Sequence, residues 1–168
     1  MSNRISNIYP LVKTFILALF FSLLFGCGGG GETTNSADGS SSTDDNITKL
    51  VISGNDGMRF DKEELRVKAG AKVQLTLKHT GQMAKATMGH NVVILKQGTN
   101  VNDFATKALR AANQGYVPDG DAVIAHTEMI GGGESSTITF DAPAKGSYDY
   151  ICTFPGHYSL MKGKLIVE

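Results

Sequence analysis

The sequence is poor in cysteine and has no excess of charge of either sign. Its only cysteines among 168 residues are Cys27 and Cys152, so at most one disulfide could form. The 16 basic and 16 acidic residues balance, which gives no bulk argument for binding nucleic acid. Its longest apolar run, residues 14–25, has about a dozen residues and is too short for a typical membrane span. Disulfide-rich, nucleic-acid-binding and transmembrane classes are therefore disfavoured.

The N-terminal residues have the pattern of an export signal. Two basic residues, Arg4 and Lys13, precede the apolar run, which has the length of a signal-peptide core. Residues 24–27, Leu-Phe-Gly-Cys, resemble the processing box of bacterial lipoproteins, although Phe25 replaces the usual small residue. The resemblance implies a lipoprotein signal peptide over residues 1–26 and lipidation of Cys27. The alternative is an ordinary secretion signal with an incidental cysteine.

A polar segment separates this leader from the rest of the chain. Residues 28–46 contain one alanine and no larger apolar residue, so this segment is predicted to be a disordered tether. A Gly/Ser-rich coil of this length has an r.m.s. reach of roughly 25 Å. Residues 27–46 are therefore predicted to be a lipidated cysteine with a flexible tether. The remaining domain, residues 47–168, is nearly neutral, with 14 basic and 12 acidic residues.

Short strands dominate the predicted structure of residues 47–168. Val73, Leu75 and Leu77 alternate with polar residues as in a half-buried strand, and residues 91–95 are apolar after the first, as in a fully buried strand. Residues 99–113 alone have apolar residues at helical spacing, with Thr99 or Asn100 as the cap. Seven or eight short strands and one inserted helix predict an all-β, antiparallel sandwich.

A stretch near the C-terminus carries the clearest chemistry. Cys152, His157 and Met161 follow one another with the spacing Cys-x4-His-x3-Met. Two His and one Cys in a plane, with a weak axial Met, form an electron-transfer copper site. The missing imidazole is assigned to His90, because it precedes the buried strand and follows Gly89, whose carbonyl could approach a metal. Neither His79 nor His126 has such a context, and both are interpreted as surface or satisfied core residues.

From about residue 47 onward the sequence resembles the azurins, which are blue-copper proteins of the cupredoxin family. The resemblance rests on five strings, which occur in the family's order: Gly54-Asn55-Asp56, Met88-Gly89-His90-Asn91, Val123-Ile124-Ala125-His126-Thr127, Cys152-Thr153-Phe154-Pro155-Gly156-His157 and Leu160-Met161-Lys162-Gly163. It implies a cupredoxin-like Greek-key sandwich that binds one type 1 copper. The implied ligands are His90, Cys152 and His157 in the plane, axial Met161, and the Gly89 carbonyl as a weak opposite contact. The disulfide that azurins usually carry is absent.

The resemblance also assigns residues around the ligands. It implies that Asn91, Thr153 and Phe154 surround the ligands, with Asn91 bonding near Thr153 to tie the two ligand segments together. It further implies an apolar docking patch around the edge of His157, formed by Met58, Met83, Met88, Phe154, Pro155 and Leu160. A bare apolar patch is costly without a binding role. The alternative is that several of these residues, Met58 and Met83 among them, belong to the core.

The function implied is that of a membrane-tethered carrier of single electrons. The protein is predicted to be exported, to be anchored to a bacterial membrane and to face the periplasm or the cell exterior. Its predicted partners are redox proteins such as c-type cytochromes or membrane oxidoreductases. An enzyme is disfavoured, because the chain has no His-x-His pair to build a second copper cluster. A copper-holding or copper-delivery lipoprotein remains the main alternative, and zinc could fill the same site.

Overall fold

The computed structural model describes residues 47–168, which form two packed β-sheets. Nine strands follow one another along this part of the chain: β1 (Ile47–Asn55), β2 (Arg59–Phe60), β3 (Glu64–Val67), β4 (Lys72–His79), β5 (Val93–Leu95), β6 (Val123–His126), β7 (Ser135–Asp141), β8 (Gly146–Ile151) and β9 (Lys162–Val167). One sheet has the order β2-β1-β4-β7 and the other β3-β9-β8-β5-β6. The predicted all-β Greek-key sandwich is confirmed. The predicted leader, Cys27 and tether lie outside the described residues.

The sequence predicted an antiparallel sandwich, but two strand pairs are parallel. Strand β1 pairs with β4 in parallel, and β3 pairs with β9 in parallel, while the remaining pairs are antiparallel. The reason is that the chain changes sheets after β2. Since β3 lies in the second sheet, β4 returns to the first sheet in the same direction as β1. Strand-by-strand patterning carries no information on this alternation between sheets.

The main core lies between the two sheets and follows the period-2 pattern. Val73, Leu75 and Leu77 on β4 have no exposed surface, while the intervening residues are half-buried or exposed. Strand β5 is different, because both of its faces are covered. Ile94 packs in the main core, whereas Val93 and Leu95 pack in a second cluster with Phe104. The prediction of a fully buried strand at residues 91–95 is therefore confirmed in its burial.

The second cluster explains the inserted helix. Helix α2 spans Val101–Ala108 within the predicted range 99–113, and its buried residues include Phe104 and Ala108. The side chain of Asn100 caps it by accepting a hydrogen bond from the Asp103 amide at 3.1 Å. The helix ends earlier than predicted, and a separate 3-10 turn follows at Ala112–Gln114.

A second helix was not predicted. Helix α1 is a single turn at Lys85–Met88 with no buried residue, so it has no apolar periodicity to reveal it. It ends at the loop that carries Gly89 and His90. None of the helices in residues 47–168 has the length and apolar character needed to cross a membrane.

Candidate metal centre

Three buried side chains converge at one end of the sandwich. His90, Cys152 and His157 each offer one ligand atom, and these atoms lie within 4.8 Å of one another. The Cys152 Sγ lies 3.7 Å from His157 Nδ1 and 3.9 Å from the Gly89 carbonyl oxygen. His90 and Cys152 have no exposed surface, and His157 has only 3%. One thiol and two imidazoles, held together away from water, form the donor set that suits copper.

The loop that carries Cys152 and His157 is closed by backbone hydrogen bonds. Cys152 directly follows β8, and its amide donates to the Met161 carbonyl at 2.9 Å, just before β9 begins. Within the loop, the His157 amide donates to Phe154 at 3.0 Å and the Met161 amide donates to His157 at 2.8 Å. Gly156 takes a φ of 83° immediately before the 3-10 turn at His157–Ser159, a conformation that glycine adopts without strain. The loop is therefore a rigid turn that aims the His157 ring inward.

His90 reaches the centre from a different segment and is oriented by two carbonyl groups. Its Nε2 lies 2.9 Å from the Asn55 carbonyl oxygen and its Nδ1 lies 2.8 Å from the Gly89 carbonyl oxygen. A neutral imidazole has only one N–H, so one of these contacts lacks a proton. With the proton on Nε2, Nδ1 and the Gly89 oxygen are two acceptors 2.8 Å apart, and the Gly89 oxygen lies 3.9 Å from the Cys152 sulfur. Two converging acceptors beside a thiol fit a bound cation.

Met161 packs beside the His90 ring, against Gly54 near the end of β1. A Cβ atom on Gly54 would lie 2.8 Å from the His90 ring and 3.0 Å from the Met161 methyl group. The missing side chain of Gly54 therefore makes the room that these two side chains occupy. Met161 is completely buried, so its thioether is held where water cannot compete for it.

Burial sets the protonation of the ligands in the metal-free protein. It raises the pKa of the Cys152 thiol to about 11, while the backbone amides of Asn91 and Phe154 act in the opposite direction by hydrogen-bonding to the sulfur. The pKa of His157 is lowered to about 4, mainly by burial and in smaller part by nearby His90 and His79. The pKa of His90 is lowered too, mainly by burial. At neutral pH both imidazoles are thus neutral and ready to bind, and metal binding must displace the thiol proton.

This protonation predicts how the stability of the metal-free protein depends on pH. His157 titrates near its ordinary pKa of about 6.5 when unfolded but only near 4 when folded. Because the unfolded state then binds the additional proton, stability is complete above about pH 6.5 and falls as the pH drops towards 4. We expect the urea midpoint of the metal-free protein to fall between pH 7 and pH 5. His157→Gln should flatten this decline, and an equally steep decline in that variant would contradict the assignment.

Asn91 joins the two segments that carry the ligands. Its side-chain oxygen accepts the Thr153 amide at 2.8 Å, and its Nδ2 donates to the Thr153 hydroxyl at 2.8 Å. The same Nδ2 lies 3.2 Å from the Gly115 carbonyl. Asn91 and Thr153 are both buried, so these bonds are shielded from water. They fix the residue after His90 against the residue after Cys152.

The structure also places the two remaining histidines. His79 is buried, and its ring stacks on His90 with centroids 4.2 Å apart and planes 9° apart. Both of its nitrogens are satisfied, since Nε2 donates to the Met88 carbonyl and Nδ1 accepts the Gly81 amide. His79 is therefore a satisfied core histidine that supports the His90 ring. His126 is exposed on β6.

Comparison with known proteins decides the family. The sequence pattern described as "Copper binding proteins, plastocyanin/azurin family" matches residues 47–168, the whole of the described chain. The chain belongs to this family. The resemblance inferred from the sequence strings is confirmed, and so is copper as the cofactor.

Several family members are closely similar in sequence. Azurin-1 of Alcaligenes xylosoxydans xylosoxydans is 48% identical over 122 residues, which cover 68% of this chain and 92% of that protein. Outer membrane protein H.8 of Neisseria gonorrhoeae is 46% identical over 120 residues, covering 68% of this chain and 64% of that protein. Auracyanin-A of Chloroflexus aurantiacus is 38% identical over 158 residues, covering 91% of this chain and 93% of its own.

Solved structures of the family show the same fold. The structure of auracyanin A from Chloroflexus aurantiacus, described as a "blue" copper protein, matches with a TM-score of 0.67 and 36% identity. That match covers 73% of this chain and 99% of the other. The reduced auracyanin of Roseiflexus castenholzii matches with a TM-score of 0.66 and 37% identity, covering 72% and 97%. A blue-copper cupredoxin of this family acts in electron transfer.

The residues predicted to form the docking patch differ in exposure. Leu160 is 46% exposed and Met83 is 40% exposed. Pro155 is exposed, while Met58, Met88 and Phe154 are half-buried. No member of the predicted patch is fully buried, so none of these six residues belongs to the core.

Two residues beside Phe154 had no predicted role. The Tyr116 ring meets the Phe154 ring edge to face with centroids 5.6 Å apart. The sulfur of Met129 and the Phe154 ring both lie against Gly89, each 2.9 Å from where a Cβ on that glycine would be. Neither residue lies in one of the five strings shared with the azurins, so no sequence pattern indicated a role for it at the metal centre. A positive φ at Tyr116 is a feature that only the structure reveals.

Proposed function

We propose that this protein is a membrane-tethered, type 1 copper electron carrier that cycles between Cu(I) and Cu(II). The observation that supports it is the convergence of three buried ligand atoms within 4.8 Å on a frame closed by hydrogen bonds. Ligands held in this way move little when the charge of the metal changes. Small movement lowers the cost of each electron transfer, which a carrier needs and a delivery protein does not.

In this proposal each residue at the centre has a separate task. His90, Cys152 and His157 would hold the copper, and Met161 and the Gly89 carbonyl would add weaker contacts. Bound copper supplies a centre that accepts and releases one electron. Asn91, Thr153 and Phe154 hold the ligands in place.

We further propose that electrons pass through the edge of His157. Among the four side chains proposed as ligands, it alone keeps some exposure, 3%, whereas His90, Cys152 and Met161 have none. The docking patch would let a redox protein approach this edge closely. A c-type cytochrome or a membrane oxidoreductase is the kind of partner that such an uncharged patch suits, and nucleic acid is not.

The proposed location follows from the N-terminal sequence and from one group of relatives. We propose a signal peptide at residues 1–26, a lipidated Cys27 with a tether up to residue 46, and the copper domain at residues 47–168. The similarity to a protein named for the outer membrane supports an exported protein on a bacterial membrane. The domain would face the periplasm or the cell exterior.

Copper holding or delivery is the alternative that must be separated by experiment. A delivery site has to release its metal, whereas the buried ligands described above oppose release. An enzyme would need an open coordination position for its substrate or a second metal site. The described residues contain no other cluster of three His, Cys, Asp or Glu side chains that could hold a metal. We therefore propose a carrier that has no catalytic activity.

Retention of the reduced metal tests the carrier against the delivery protein. The copper-loaded protein is reduced with ascorbate, exposed to a Cu(I) chelator such as bathocuproine disulfonate, and then reoxidised. We expect the visible band to return nearly completely over repeated cycles, because the ligands are rigid and shielded. Rapid loss of the reduced copper to the chelator would favour delivery and contradict the proposal.

Lipidation is tested on the full-length chain expressed in a bacterium. We expect the chain without substitutions to appear in the membrane fraction, with a mass that corresponds to lipidated Cys27. Cys27→Ser should move it to the soluble fraction, while Cys152→Ser, the matched change of the other cysteine, should leave it in the membrane. Membrane association that persists in Cys27→Ser would rule out this anchor.

A further inference from the structure

Within residues 47–168, only two non-glycine residues have a positive φ, and both belong to loops next to the metal centre. Met58, with a φ of 54°, closes the turn that starts at Asn55, whose carbonyl faces His90. Tyr116 has a φ of 62°. For a bulky side chain this left-handed conformation is an outlier. Such strain persists only where the surrounding contacts over-determine it, and it concentrates at functional sites.

The contacts that hold Tyr116 lead to the ligands. Its amide donates to the Ala111 carbonyl at 2.9 Å. The preceding residue, Gly115, has a φ of 64° and turns its carbonyl towards Asn91 Nδ2, 3.2 Å away. Asn91 in turn is bonded to Thr153. The strained loop is thereby tied to the two segments that carry His90 and Cys152.

The Tyr116 ring contributes to a row of three aromatic rings that ends at the metal centre. It meets Phe154 at 5.6 Å and 64°, and Phe154 lies 4.7 Å from the His157 ring. Phe154 also fits closely against Gly89, where a Cβ would come within 2.9 Å of its ring. Phe154 is half-buried, so part of this residue is exposed to solvent. The edge-to-face contact with Tyr116 restricts the ring on a side that the ligands do not cover.

We propose that Tyr116 is a positioning residue for electron transfer. Its ring holds Phe154 in the wedge between Gly89 and His157, and Phe154 in that position keeps water from the ligand atoms. The strained backbone at Tyr116 and the contact of its ring with Phe154 occur together at this position. The consequence for the reduction potential rests on the proposed function, whereas the consequence for water access concerns the chain alone.

The first test measures access to the Cys152 thiol in the metal-free purified protein. Iodoacetamide is added at fixed pH, and alkylation of Cys152 is followed by peptide mass, separately from Cys27. Tyr116→Gly removes the ring and also relieves the positive φ. We expect alkylation of Cys152 to accelerate about tenfold, which corresponds to 1.4 kcal/mol in the free energy of opening. The urea midpoint of Tyr116→Gly should fall by less than the faster alkylation implies, because this variant no longer has a strained backbone at residue 116.

The second readout is the reduction potential of the copper-loaded protein. Water that reaches the centre stabilises the more highly charged oxidised metal, so Tyr116→Gly should lower the potential. Tyr116→Phe keeps the ring and should restore the original potential and alkylation rate. Should Tyr116→Gly fail to fold, Tyr116→Leu supplies a second variant without the ring, which keeps apolar bulk and the positive φ but lacks the aromatic edge.

Two results would overturn the positioning role. One is an unchanged alkylation rate and potential in the ring-less variant. The other is a Tyr116→Phe variant that behaves like the ring-less one, which would assign the effect to the hydroxyl group. Because alkylation is measured without copper, its outcome is independent of whether the loaded protein carries electrons. If the copper-loaded protein fails to cycle but Tyr116→Gly is alkylated faster, the proposed function is contradicted and the positioning role is supported.

Discussion

Cys152→Ser is expected to abolish the intense red-region absorption of the copper-loaded protein. This absorption arises from charge transfer between a thiolate and Cu²⁺, and a serine hydroxyl offers neither the soft donor nor an accessible anion. The position is completely buried, and residues 47–168 contain no other thiol that could replace the lost ligand. The measurement is a visible spectrum of the Cu²⁺-loaded protein before and after ascorbate. The band of the unmodified protein should bleach and return, and the variant should show no band.

The chain offers its own control for this experiment. Cys27→Ser removes the only other cysteine and should leave the band unchanged. An intense band that survives in Cys152→Ser would show that Cys152 is not the thiolate ligand. A nearly colourless complex in the unmodified protein would contradict the blue-copper assignment as a whole. Serine buries a hydroxyl in place of the thiol at a completely buried position, so the metal-free variant should unfold at a slightly lower urea concentration.

Asn91→Leu is expected to give a large loss of stability while it keeps the number and branching of the side-chain heavy atoms. The Asn91 side chain makes four hydrogen-bond contacts, three with Thr153 and one to the Gly115 carbonyl. A buried donor that loses its partner incurs its full desolvation penalty, and here the Thr153 amide would be left without an acceptor. Together these terms lower the free energy of unfolding by about 3 kcal/mol. Urea unfolding of the metal-free protein measures this difference.

A smaller change at the same contact separates its two halves. Thr153→Val removes the hydroxyl but keeps the amide bond to Asn91, so we expect a loss of about 1 kcal/mol. In the double variant the two losses should not add, because the residues share one network. A loss in Asn91→Leu no larger than that in Thr153→Val would mean that the amide bond contributes nothing. Asn91→Leu should also release copper faster, since the two ligand segments are no longer joined.

Most of the fold could be predicted because its signals are local. The alternation of Val73, Leu75 and Leu77 reports which face of β4 is buried, and the continuous run at residues 91–95 reports burial on both faces. The helix at Val101–Ala108 was recognised from its apolar spacing and its Asn100 cap. The parallel pairing of β1 with β4 was missed, because it depends on β3 joining the other sheet. The turn at Lys85–Met88 was missed because none of its residues is buried.

The sequence by itself determined the chemistry of the metal centre and its family. Cys152, His157 and Met161 lie in one loop, so their spacing specifies a soft donor set before any folding is considered. The tertiary structure alone decided how distant residues complete this centre. His79 stacks on His90, Gly54 leaves room for Met161, and Tyr116 reaches Phe154 through a strained turn. The physical reason is that spacing and periodicity are properties of neighbouring residues, whereas these contacts arise only when both sheets and their loops pack together.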